Sequence, residues 1–266
     1  MKVTSKLRRT KPIQVADFAF VRDNTGLTPK TCIPSPAMLH LRGDHAARKK
    51  TYPDDAEFWR DLTTAYQEEI ADMYAAGCRY LQIDDTSIAT LCDEKFRESR
   101  KAVGEDPDAI SRQYAKAVTM AIEKRPADMT VAVHTCRGNF KSTWMASGSY
   151  MAVAENVFGN IKVDGFFLEY DDERSGDFQP LSFVPRGRRV VLGLVTTKRG
   201  ALESTDDLAR RIDEAARHVP LADLALSPQC GFASTVEGNI ITPDEQWAKL
   251  ARVVEVARRV WGTAGR

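Results

Sequence analysis

Apolar residues recur at Phe58, Leu62, Tyr66, Ile70 and Met73, a helical spacing that gathers them on one face. Pro53-Asp54-Asp55 opens this segment and Gly77 stands where a C-terminal cap belongs, so a helix is predicted between them. From Cys78 the pattern changes to Cys78-Arg79-Tyr80-Leu81-Gln82-Ile83, a short run that predicts a strand ending at Asp84-Asp85. A polar loop and a helix over 108–124 come next, and V-A-V-H-T-C at 131–136 then reads as a strand. The alternation continues with a helix near 149–158, a strand at 165–169 and a long polar loop from Tyr170. Then follow the strand R-V-V-L-G-L-V from Arg189, an amphipathic helix over 206–218, the strand L-A-L-S from Leu224 and a terminal helix over 244–261.

Strands separated by helices of this length imply right-handed βαβ units and a parallel sheet. The expected fold class is α/β, a TIM-barrel type parallel (β/α) barrel. Asp84, His134 with Cys136, Glu169, and Cys230 stand at or just past the C-terminal ends of four strands, the end at which such a barrel builds its site. An open doubly wound sheet would converge them less well. The pattern yields about six strands where a closed barrel has eight.

Composition narrows the partners. In 266 residues, 43% are apolar, enough for a packed core, and no composition break divides the chain. The 38 Lys and Arg against 37 Asp and Glu leave a charge of +1, which gives no global attraction to nucleic acid or to an anionic membrane. Neither a signal peptide nor an apolar run of membrane-spanning length is present, so a cytoplasmic protein acting on small molecules is expected. Five cysteines, at 32, 78, 92, 136 and 230, are an odd, scattered set that reads as reduced thiols. Lys6, Arg8, Arg9 and Arg48 to Lys50 read as solvated charge rather than a phosphate site.

The candidate chemistry lies in four residues: one imidazole, two thiols and one carboxylate form a donor set suited to Zn²⁺. On a strand His134 and Cys136 point to one face, with Ala132, while Val131, Val133 and Thr135 point to the other. Taken singly, each residue has a plainer account. His134 and Cys136 fit a core histidine beside a buried cysteine, or a Cys-His nucleophile pair without an identifiable third member. Glu169, ending Gly165-Phe166-Phe167-Leu168, fits a paired or exposed strand-end acid. Cys230, in S-P-Q-C-G-F, fits an inert buried thiol. Asp84 and Asp85 fit caps of the segment beginning T-S-I, and Asp177 fits a turn cap.

Taken together, V-H-T-C-R-G-N, F-F-L-E-Y-D-D-E-R-S-G-D-F, V-V-L-G-L-V-T-T-K and L-A-L-S-P-Q-C-G-F-A-S resemble the C-terminal catalytic barrel of cobalamin-independent methionine synthase, in particular its short single-barrel relatives. The likeness runs from about residue 30 to the end. It implies a lead-in at 1–30 and a catalytic barrel at 31–266 that is incomplete at its N-terminus, because the family's first two strands, with a Gly-Ser turn, have no counterpart. It further implies zinc held by His134, Cys136, Glu169 and Cys230, and Asp84 of Gln82-Ile83-Asp84 binding the amino group of homocysteine. Glu169 then carries a catalytic role as the ligand that yields to the substrate thiol. The implied activity is methyl transfer of the methyltetrahydropteroyltriglutamate–homocysteine methyltransferase type, from a methylfolate or a methyl-corrinoid. A partner chain or a second copy is a further expectation, completing the barrel. Alkyl transfer to another thiol, such as coenzyme M, and an inactive zinc-binding remnant are the rival readings.

Overall fold

The computed structural model describes residues 1–264. Six strands form one parallel sheet in chain order: β1 Thr31–Pro34, β2 Tyr80–Asp85, β3 Thr130–Thr135, β4 Gly165–Glu169, β5 Arg189–Val195 and β6 Leu224–Pro228. Consecutive parallel neighbours throughout are the signature of successive βαβ crossovers, as in a TIM barrel. The expected α/β class is therefore present, and β1, which the pattern does not single out, brings the sheet to six strands. Strands β1 and β6 have no second neighbour among the described residues. The sheet nevertheless curls, since Cys32 of β1, Gln82, His134, Glu169, Gly193 and Ser227 of β6 all line one cavity of about 270 Å³.

The helices are α1 Val15–Asp23, α2 Pro36–Arg42, α3 His45–Thr51, α4 Asp55–Ala75, α5 Ser87–Thr90, α6 Glu94–Ala102, α7 Pro107–Ile122, α8 Ala154–Val157, α9 Thr205–Ala215 and α10 Pro243–Trp261. In α4 the periodic residues Phe58, Leu62, Ile70 and Met73 are buried, and Asp54 caps the first turn by accepting from Ala56 N at 2.9 Å. Outward strand residues Leu81, Ile83, Val131, Val133, Phe166, Leu168, Val190 and Leu192 meet these helices in one core. That division of faces leaves the inner wall mainly to small and polar side chains, with Phe167 the large apolar residue among them.

Several elements differ from expectation. The helix near 149–158 is a 3₁₀ turn at Tyr150–Ala152 followed by the single-turn α8, because Val153 adopts a non-helical φ,ψ between them. The second strand begins at Tyr80 rather than Cys78. β1 and the helices α1, α2, α3, α5 and α6 lie in segments whose pattern is too short or too polar to single them out. Arg9 and Arg48 are not solvated charge: Arg9 pairs with Glu69 at 2.7 Å and Asp72 at 2.6 Å, and buried Arg48 pairs with Asp55. Residues 265 and 266 of the expected barrel domain lie outside the described residues. No helix among the described residues is long and apolar enough to cross a membrane.

Candidate metal centre at the strand ends

The inner face of β3 presents His134, and the chain leaves the strand through Cys136. Across the barrel mouth, Pro228 ends β6 and Gly231, at φ +146°, turns the backbone so that Cys230 points back toward β3. The ligand atoms of His134, Cys136 and Cys230 all lie within 4.8 Å of one another. No other such group of His, Cys, Asp or Glu occurs among the described residues. Tetrahedral zinc with bonds of about 2.0–2.3 Å needs ligand separations not far below this, so small side-chain adjustments close the site. His134 Nε2 is buried without a hydrogen-bond partner, a costly state that a metal bond would relieve. The donor set and geometry fit Zn²⁺.

Charge is already unequally shared in the cluster. A hydrogen bond with Cys230 holds the Cys136 thiol well below the ordinary cysteine range, with His134 assisting against the cost of burial. The same bond, with burial, pushes Cys230 up. Burial opposes the His134 imidazolium, but the Cys136 hydrogen bond and the charges of Cys136, Asp84 and Glu169 outweigh it and raise its pKa.

Glu169 lies at the end of β4, beside but outside this three-residue cluster. Its Oε2 accepts from Arg137 N at 2.8 Å, and its Oε1 lies 3.4 Å from Lys198 Nζ and 3.6 Å from Arg174 Nη2. Burial raises its pKa, and the Lys198 charge works against that rise. Asp84 is paired in register with His134, and its Oδ1 accepts from Gln82 Nε2 at 2.6 Å. The capping role falls to Asp85 alone, which accepts from Ser87 N at 2.7 Å and Ile88 N at 3.0 Å. Asp84 is left to face a groove of about 550 Å³ with His134, Cys136 and Cys230. Asp177 accepts from Gln179 N at 3.1 Å and caps a turn.

Four supporting residues escaped the sequence reading. Tyr150 Oη donates to Thr135 O at 2.9 Å and accepts from Glu169 N at 3.2 Å, joining the ends of β3 and β4. Gln229 Oε1 accepts from Thr197 N and Lys198 Nζ at 3.0 Å each, and so joins the end of β5 to Cys230's loop. Lys198 and Arg174 complete the surroundings of Glu169. Only Lys198, in V-T-T-K, and Gln229, in S-P-Q-C, carried a signal, their place beside strand ends.

Over residues 45–259 the chain matches the family Meth_synt_2, described as the catalytic domain of cobalamin-independent synthase. The chain belongs to that family. It is 49% identical over 263 residues to the uncharacterized protein YxjH of Bacillus subtilis, covering 98% of this chain and 69% of that one. Among solved structures, a Listeria monocytogenes protein given as a candidate vitamin-B12-independent methionine synthase matches at 42% identity with a TM-score of 0.78, over 98% of this chain and 73% of that one. A B12-independent methionine synthase from Shewanella sp. W3-18-1, solved with selenomethionine, shares the fold at 20% identity with a TM-score of 0.70, over 96% of this chain and 68% of that one. The expected family is thus found, and cobalamin-independent synthase membership supports a methyltransferase on a TIM-type barrel.

Proposed function

We propose that this chain is the catalytic part of a zinc-dependent methyltransferase that methylates the thiol of homocysteine. The observation that carries the reading is the mutual approach of His134, Cys136 and Cys230 at the strand ends of a cobalamin-independent synthase domain. Those three residues would hold Zn²⁺, with Glu169 as a fourth, exchangeable ligand. Bound zinc supplies thiol activation, keeping as thiolate a group whose reference pKa of about 8.5 leaves it protonated at neutral pH. Asp84 is assigned to the substrate ammonium by a charge-assisted bond that orients the sulfur. The groove walled by Phe140, Trp144 and Met145 is assigned to the methyl donor, a methylfolate or a methyl-corrinoid. Beside β1 and β6, which have no second neighbour among the described residues, further strands from a partner chain or a second copy would complete the barrel.

The test joins zinc content to methyl transfer. The expected result is about one zinc per chain together with transfer to homocysteine from methyltetrahydrofolate or methylcobalamin. Full transfer by metal-free protein would refute thiol activation by zinc. Zinc binding without transfer from either donor would instead favour the inactive remnant.

A further inference from the structure

We propose that Lys198 is a positioning residue that receives the Glu169 carboxylate when the substrate thiol takes its place on the metal. The inference rests on the zinc-thiol reading above and deepens it. Lys198 reaches from the loop after β5, its side chain only 6% exposed, to within 3.4 Å of Glu169 Oε1. Gln229 Oε1 fixes the ammonium at 3.0 Å from the other side. A buried ammonium is stable only with a partner of opposite charge, and among the described residues Glu169 is the carboxylate with which Lys198 forms an ion pair. Arg174 stands nearby at 3.6 Å, but its closest contacts, at 2.7 and 3.1 Å, go to Asp172 and Asp171. Lys198 is therefore the cation set aside for Glu169.

Charge counting shows what this arrangement accomplishes. Zinc with two thiolates and a neutral imidazole has no net charge, and adding Glu169 makes the centre anionic. An incoming substrate thiolate would then meet repulsion. With Glu169 held by Lys198 instead, the ammonium would neutralise the carboxylate, and zinc held by His134, Cys136 and Cys230 would have a position for the substrate sulfur as thiolate, its proton passing to solvent through the open groove. Gln229 adds a constraint on position: it holds Lys198 while its own backbone leads directly into Cys230. The ammonium is thereby kept at a fixed place relative to one metal ligand.

Lys198 should accordingly compete with the metal for Glu169. Zinc affinity is to be measured by competition with a chromophoric chelator for wild type, Lys198→Met, Lys198→Gln, Lys198→Arg, Glu169→Gln and the Lys198→Met/Glu169→Gln double variant. Thiol binding is to be followed in Co²⁺-substituted protein by the sulfur-to-cobalt charge-transfer band on adding homocysteine. Lys198→Met and Lys198→Gln should bind zinc about tenfold more tightly, opposite in sign to the loss usual when a group supporting a ligand is removed, and bind homocysteine correspondingly more weakly. Lys198→Arg should stay near wild type. In the Glu169→Gln background the loss of Lys198 should no longer change zinc affinity.

Unchanged or weaker zinc binding in both neutral variants, with unfolding midpoints like wild type, overturns the proposal, as does a gain that persists without Glu169. If both neutral variants fail to fold, the decision falls to Lys198→Arg: homocysteine binding lost there despite intact zinc binding overturns the proposal, and binding near wild type supports it. Wild-type protein that binds no zinc defeats the underlying reading, and this inference with it. Wild-type zinc binding without the Lys198 effects defeats this inference alone.

Discussion

The backbone N–H of Arg137 donates to Glu169 Oε2 at 2.8 Å, tying the residue after Cys136 to the acid at the end of β4. This bond fixes one carboxylate oxygen and leaves the other, Oε1, toward Lys198 and Arg174. The Arg137 side chain extends away, its guanidinium 4.2 Å from the centre of the Tyr150 ring and its Nη2 2.6 Å from Gly148 O. One residue thus holds the acid through its backbone and the following loop through its side chain.

Asp84→Ala should separate substrate binding from metal binding. Asp84 shares the groove with the cluster but lies outside the group of three candidate ligands, so zinc content should stay at the wild-type level. Loss of a charge-assisted bond to the substrate ammonium should raise KM for homocysteine about ten- to a hundredfold. Steady-state kinetics beside metal analysis provides the check, and loss of zinc in this variant would defeat the division of roles.

Cys230→Ser should lose zinc and methyl transfer together, because a serine hydroxyl is a far poorer ligand than a thiolate. Cys78→Ser is the control. That buried thiol donates to Tyr80 O at 3.6 Å, outside the cluster, and its variant should keep its zinc. Metal analysis after dialysis against a weak chelator distinguishes the two.

The inner wall was legible because strand alternation is a local property. V-A-V-H-T-C separates Val131 and Val133 from Ala132 and His134 by position alone, and the structure places the valines outward in the core and His134 on the inner cavity. The surroundings of Glu169 were not legible. Lys198 is 29 residues downstream, beyond one further crossover, and Gln229, which holds it, is 60 residues downstream, beyond two. Tyr150 reads as one more apolar residue, since nothing local reveals that its hydroxyl bridges two strand ends. Arg9 and Arg48 misled for the same reason: their carboxylate partners are supplied by α4.

His40 should set part of the acid limb of stability. Burial, with Arg48 and His45 nearby, lowers its pKa from 6.5 to about 4, and its Nδ1 contacts Tyr114 Oη at 3.0 Å. The unfolded chain takes up this proton as pH falls through 6.5, whereas the folded state resists until about pH 4. Stability from this group is therefore full above pH 6.5 and is lost on acidification across that window, on the order of 3 kcal/mol in all. Urea unfolding at a series of pH values should show the loss in wild type and a flatter profile in His40→Gln.

Gly148→Ala tests how firmly the groove wall must be held. Gly148 adopts φ +125°, a backbone state that favours glycine, and an added Cβ would stand 2.1 Å from Cys92 O. That neighbour is backbone and cannot rotate away. Gly148 also receives the Arg137 guanidinium on its carbonyl and donates its own N–H to Arg174 O at 2.9 Å. Displacement here would move the segment bearing Phe140, Trp144 and Met145 while leaving His134 and Cys136 on their strand. The expected outcome is a loss of about 2–3 kcal/mol of stability in urea unfolding, from backbone strain and overpacking. Retained zinc with a raised KM for the methyl donor should accompany it. Stability and donor KM both equal to wild type would show that the loop does not depend on this close approach.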